Sequence, residues 1–70
     1  MTRQEHLAWS KARALEYLDA GELADAVASM GSDLNKHPET VCNPFLMGIG
    51  MKAVIDNDAA GVRRWIEGFN

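Results

Sequence analysis

The chain has little cysteine, no long apolar run and no excess of positive charge. Its single cysteine, Cys42, excludes an intramolecular disulfide, whereas a secreted domain of this size normally carries several. The most apolar stretch, residues 45–51, falls well short of the roughly 20 residues that a membrane-spanning helix needs. No basic start followed by an apolar stretch marks a signal peptide. We therefore expect a cytoplasmic protein that does not enter a membrane.

Residues that carry enzyme and metal chemistry are equally scarce. Cys42, His6 and His37 are the only thiol and imidazole donors, and their spacing matches no zinc-site pattern. A catalytic nucleophile needs an adjacent base. Cys42 follows His37 by five residues and could approach it, but a chain of 70 residues leaves little room for a substrate pocket. We expect no enzyme activity, no cofactor and no bound metal.

The charge balance is acidic, with ten Asp and Glu residues against seven Lys and Arg residues and a net charge of -3. A general nucleic-acid binder presents a basic face, so this balance argues against that class. Arg63 and Arg64, beside Trp65, form a small basic patch. Such a pair is typical of a solvated face near the end of a helix. The alternative is direct contact with nucleic acid.

The first half of the chain indicates two helices. Thr2 and Glu5 form a capping-box pattern, which predicts a helix from there to about Asp19. Gly21 suits the left-handed residue that ends many helices. A second helix is predicted over about residues 22–34, where one apolar stripe recurs at helical spacing: Leu23, Val27, Met30 and Leu34.

The second half indicates two more helices. Asn43 and Pro44 are a typical cap and first residue. The helix that they start, to about Ile55, is apolar almost all round, so we expect it to be the most buried. Residues 56–58 form a turn before a short final helix whose apolar stripe is Val62, Trp65, Ile66 and Phe69. No segment alternates like a strand, and we expect one all-α domain over residues 1–70, with four short helices as two antiparallel helical hairpins.

The converging stripes predict a core of Leu15, Leu18, Leu23, Val27, Met30, Ile49 and Ile66. Gly31 lies inside the second helix at a cost in helix propensity. Either another backbone passes close to it, which we favour, or the helix ends early. Gly48 and Gly50 match the glycine spacing of a dinucleotide-binding motif, but that motif needs a preceding strand. We interpret both glycines as positions where a buried helix lacks side chains and its neighbours cross closely. Lys11 lies within an apolar face; either its amine reaches solvent along an apolar surface, or it contacts a buried acid or another chain.

Residues 56–67 have the spacing of a calcium-binding EF-hand loop at several positions. Asp56, Asp58 and Glu67 stand at ligand positions, but Ala60 lacks the side-chain oxygen needed at its position. Two arginines add positive charge around the expected ion. We interpret the acidic residues as a helix cap, favoured by the helix dipole, and the binding of calcium stays open.

Several residues of the first hairpin occupy the turn-glycine, aromatic, small, alanine, bulky and closing-proline slots of a known repeat: Gly21, Tyr17, Ala14, Ala26, Met30 and Pro38. In these slots the hairpin resembles a single degenerate tetratricopeptide repeat. Ser10 and Arg13 stand where that repeat has tryptophan and leucine, and the second half does not continue the pattern. The resemblance implies a shared hairpin geometry and not membership of the family.

Residues 32–40 (SDLNKHPET) and 65–70 (WIEGFN) are similar to segments of small uncharacterised proteins from bacteriophages of actinobacteria. The similarity covers the second helix, the connector and the last helix. It implies an accessory phage or prophage product that acts in a bacterial cytoplasm. No site residues are carried over, because that group has no established activity.

These observations favour a non-enzymatic helical protein that acts by binding another protein of unknown identity. Trp9 and Tyr17 flank the apolar face of the first helix, and residues 35–40 form a polar connector of the kind that often carries recognition. The predicted contact residues are Trp9, Tyr17, Lys36, His37 and Glu39. The alternative function is a small regulator that contacts nucleic acid through Arg63 and Arg64.

Self-association is a further expectation. A chain of 70 residues without a disulfide or metal has a thin margin of stability, and oligomerisation is a common remedy. A twofold homodimer through the first or the third helix would cover their surplus apolar surface.

Overall fold

Four α-helices follow one another in the computed structural model, which describes residues 2–37 and 43–69: α1 (Arg3–Asp19), α2 (Leu23–Leu34), α3 (Pro44–Ile55) and α4 (Ala59–Glu67). No strand occurs within these two ranges, so the prediction of an all-α fold is confirmed. α1 packs mainly on α2, α3 packs on α4, and α2 also contacts both helices of the second hairpin. None of the described helices is long and apolar enough to cross a membrane.

Local capping chemistry accounts for where the helices begin and end. The Thr2 side chain accepts from the Glu5 backbone N–H and the Glu5 side chain accepts from the Thr2 backbone, which completes the predicted capping box. Gly21, at φ 81°, turns the chain after α1. Asn43 Oδ1 accepts from the backbone of α3 at 2.8 Å, and Asp58 Oδ1 does the same for α4 at 2.9 Å. Each predicted helix is therefore present.

The core lies between α1, α2 and α4. Its buried apolar members are Leu7, Ala14, Leu18, Ala26, Val27, Met30, Leu34, Val62 and Ile66. Four of the predicted core residues are among them, while Leu15 and Leu23 are partly buried and pack against the cluster. Ile49 is the exception, because 45% of it is exposed.

The prediction that α3 is the most buried helix is wrong. Its one buried residue is Gly50, and its outward side chains Phe45, Ile49, Met51 and Ile55 are 77%, 45%, 42% and 80% exposed. α3 packs through its inner side on α2 and α4, which leaves its outer side without cover from the described chain. Apolar composition all round a helix shows that it tolerates burial on every side, but burial also requires neighbours on every side.

The predictions for the glycines and for Lys11 have different outcomes in the structure. A Cβ on Gly31 would lie 2.7 Å from Met47 Sδ, so the close neighbour of this glycine among the described residues is a side chain and not the expected backbone. The ring of Trp65 crosses α3 at Gly50, as expected. The same prediction is wrong for Gly48, which is exposed and where a Cβ would meet no described atom within 4 Å. Lys11 Nζ donates to the Glu67 backbone oxygen at 3.3 Å at the surface. A positive charge is favourable at this position because the C-terminal end of a helix carries a partial negative charge.

Candidate functional site

Asp33 is a buried carboxylate near the end of α2, with 1% of the residue exposed. Its Oδ2 accepts from Arg13 Nε at 2.9 Å and its Oδ1 accepts from Lys36 Nζ at 3.1 Å. The Asp33 backbone oxygen also lies 2.6 Å from His6 Nε2. Because a carbonyl oxygen can only accept, this contact requires the His6 proton on Nε2. The Arg13 and Lys36 donors compensate the desolvation of the carboxylate. Arg13 and His6 together tie α1 to the last turn of α2.

A layer of aromatic rings and cations lies beside this carboxylate. Arg13 Cζ is 4.9 Å and Lys36 Nζ is 5.9 Å from the centroid of the Trp9 ring, within the range of cation–π attraction. The His6 ring lies 5.9 Å from Trp9 and 5.4 Å from the His37 ring. We call these five residues the tryptophan–cation cluster. Its tryptophan is 39% exposed, so the cluster is open to a partner.

Helical spacing and the antiparallel hairpin together create the cluster. Trp9 and Arg13 are four residues apart on α1, so their side chains lie on the same face. The hairpin brings the first half of α1 beside the end of α2, where Lys36 and His37 follow the last helical residue. Sequence reasoning therefore selected three members, and the structure brings them together. The spacing of Trp9 and Arg13 was the available signal for a fourth member.

The two other predicted contact residues lie elsewhere. Tyr17 is 37% exposed and lies eight residues beyond Trp9 on the same edge of α1. It lines a shallow depression of about 400 Å³ with Arg13 and Lys36, next to the cluster. Glu39 and Cys42 lie outside the described residues. The approach of His37 to Cys42 therefore stays a prediction. Tyr17 therefore extends the surface of the cluster without joining it.

Arg63 and Arg64, the basis of the nucleic-acid alternative, both lie beside carboxylates. Arg63 Nη2 is 2.9 Å from Asp19 Oδ1, and its Nη1 is 3.7 Å from Glu67 Oε1. Arg64 Nη2 is 3.8 Å from Asp58 Oδ2. These three acids reduce the positive potential that phosphate binding requires.

The acidic residues that share the spacing of a calcium-binding loop make other contacts. Asp58 caps α4 through the Gly61 backbone N–H at 2.9 Å, and Glu67 stands at the far end of that helix, so the segment does not form a loop. Asp56 accepts from Lys52 Nζ at 2.8 Å, and this hydrogen bond raises the pKa of Lys52. Among the residues that the structure describes, no group of three or more His, Cys, Asp or Glu side chains could hold a metal ion.

A second surface, the α3 outer face, consists of Phe45, Ile49, Met51 and Ile55. The sequence predicted surplus apolar surface on this helix, but it also placed Ile49 in the core and did not indicate which side of α3 is exposed. The molecule thus presents one aromatic and cationic surface and one apolar surface, on different helices. Searches of protein-family models, curated proteins and solved structures found no match to this chain.

Proposed function

We propose that this protein is a non-enzymatic helical module that binds another protein through the tryptophan–cation cluster. The observation that carries this proposal is the partly exposed Trp9 ring, beside two cations that a buried carboxylate holds in place. Tryptophan, tyrosine and arginine are enriched at the energetic centres of protein interfaces. Trp9, Arg13 and Tyr17 follow one another at intervals of four residues along one edge of α1.

The contacts within the cluster favour binding because they order its side chains in advance. Asp33 and the Trp9 ring already restrain Arg13 and Lys36, so less side-chain entropy is lost when a partner binds. Arg13 donates to Asp33 through Nε. The two terminal amino groups of the Arg13 guanidinium can donate to a carboxylate of the partner. We infer that the partner presents an acidic residue next to an apolar or aromatic one.

The setting that we propose is the bacterial cytoplasm, with the chain as an accessory product of an actinobacterial phage. The resemblance at residues 32–40 and 65–70 supports this origin. The paired state of Arg63 and Arg64 supports a protein partner over nucleic acid.

Affinity capture from an actinobacterial lysate, followed by titration of the purified partner, tests the proposal. Trp9→Ala should weaken binding by about 30-fold, the effect of losing an interface hot spot. Alanine at Lys36, His37 and Glu39 together should also weaken it, with helicity unchanged in circular dichroism. Ala12→Gln is the matched control, because Ala12 is exposed on the same helix outside the cluster.

Two results would contradict the proposal. The first is undiminished binding of the partner by folded Trp9→Ala protein. The second is a salt-dependent shift of DNA mobility that requires Arg63 and Arg64, because phosphate contacts weaken steeply with ionic strength. That result would establish the nucleic-acid alternative.

A further inference from the structure

The α3 outer face is a large apolar surface for a chain of this size. Phe45 and Ile55 are 77% and 80% exposed, and Ile49 and Met51 are nearly half exposed. With about 150–250 Å² for each large side chain, these fractions amount to roughly 500 Å² of exposed apolar surface. That area is at the upper end of the largest patch on a typical monomer, about 300–600 Å². The face therefore requires an explanation beyond the scatter of single exposed residues.

The apolar residues of this face are symmetric about the axial level of residue 50. Phe45 and Ile55 lie five residues on either side of that level, and Ile49 and Met51 lie one residue on either side. If two α3 helices cross antiparallel there, Phe45 lies opposite Ile55 of the partner subunit. Ile49 and Met51 flank this contact on opposite sides, because positions two residues apart lie about 160° apart around a helix. The contact between Phe45 and Ile55 therefore occurs twice, in the self-complementary manner that a twofold interface demands.

The remaining positions of the face also fit this arrangement. Lys52, the only charged residue of α3, lies opposite Gly48 of the partner subunit in the same register. A Cβ on Gly48 would meet no described atom within 4 Å, so the glycine leaves room for the stem of a lysine. Asp56 accepts from Lys52 Nζ at 2.8 Å, and this ion pair balances the lysine charge within the face. The pairing therefore leaves no charge uncompensated.

We propose that the chain forms a reversible homodimer through antiparallel pairing of two α3 outer faces. Two copies would remove at most about 1,000 Å² in total, which is the lower limit of specific interfaces. An interface of this size gives a dimer that dissociates on dilution. It lies on a different helix from the tryptophan–cation cluster, so the dimer does not depend on the proposed partner binding.

Sedimentation equilibrium from about 10 to about 500 micromolar tests the dimer, because mass action shifts it with concentration. The wild-type mass should rise from 7.7 kDa towards twice that value. Ile55→Lys and Phe45→Glu should each raise the dimer dissociation constant by about tenfold or more, because each places a charge against an apolar partner. Ala12→Arg, which adds the same charge as Ile55→Lys on an exposed site of α1, should dimerise like the wild type.

A mixture of the two variants tests the register. In the antiparallel pairing, the carboxylate introduced at 45 in one chain faces the amine introduced at 55 in the other. The second pair in that mixed dimer remains apolar. The equimolar mixture should therefore dimerise where each variant alone does not, and thermal melting of each should match the wild-type monomer.

A single wild-type species of 7.7 kDa at every concentration would overturn the proposal. A dimer that persists in both single variants would overturn it as well, since its interface would lie elsewhere, for example on α1. A mixture that stays monomeric would refute the antiparallel register.

Discussion

Gly48 and Gly50 lie two residues apart in α3, and alanine should leave the protein less stable at Gly50 than at Gly48. A Cβ on Gly50 would lie 2.8 Å from Trp65 Cε2 and 3.0 Å from its Cδ2, whereas one on Gly48 meets no described atom within 4 Å. The Trp65 ring resists displacement because its Nε1 donates to the Leu46 oxygen at 2.8 Å. It also packs edge-on against Phe69, with ring centroids 5.0 Å apart.

The size of the difference follows from two competing terms. Alanine gains about 0.8–1 kcal/mol of helix propensity over glycine at either position, and Gly48→Ala should show this gain in full. At Gly50 the added methyl group overpacks the contact with Trp65, at a cost of about 1–3 kcal/mol. The free energy of unfolding of Gly50→Ala should therefore be about 1–3 kcal/mol lower than that of Gly48→Ala. At about 4–8 °C per kcal/mol for a small domain, its Tm should be at least about 4 °C lower.

Thermal unfolding followed by circular dichroism measures both variants. The protein must be dilute enough to sediment as a monomer, because Gly48 lies on the α3 outer face and association raises the Tm. The two variants carry the same chemical change in the same helix, so each is the control of the other. If Gly50→Ala proved as stable as Gly48→Ala, the close packing of Trp65 on α3 would be refuted.

Three further predictions concern the core and the ion pairs. Val27 is fully buried, so Val27→Asp should leave an unpaired buried charge and unfold the domain; an unchanged melting curve would refute the packing of the two hairpins. Asp33→Asn should lower the free energy of unfolding in urea by about 1–3 kcal/mol, because it removes the charge that holds Arg13, and equal stability would show that this ion pair contributes nothing. Asp56 raises the pKa of Lys52. The pair therefore stabilises the fold below the ordinary lysine pKa, and this contribution is lost as pH rises through the raised pKa of the folded state. Asp56→Asn should lower the pKa of Lys52 in an NMR titration, and an unchanged titration would exclude the contact.

Helix positions in this protein were determined by short-range sequence signals. The Thr2–Glu5 capping box, the turn at Gly21 and the Asn43–Pro44 start each act within a few residues, and the helices begin and end where these signals predicted. The apolar stripe of α2 likewise identified Val27 and its neighbours as core residues. A stripe on one side of a helix has one orientation that buries it, which makes burial predictable.

Burial of α3 and assembly of the tryptophan–cation cluster were decided by the tertiary structure. α3 is apolar on every side, so its sequence does not specify which side packs, and the available neighbours cover the inner side alone. The bond of His6 to Asp33 joins residues 27 apart, and that of Arg13 to Asp33 joins residues 20 apart. Trp9 and Lys36 were predicted from local composition, but the carboxylate that organises them was not. Local propensities extend over a turn or two of helix, whereas a buried carboxylate acquires its partners only when separate helices share one small core.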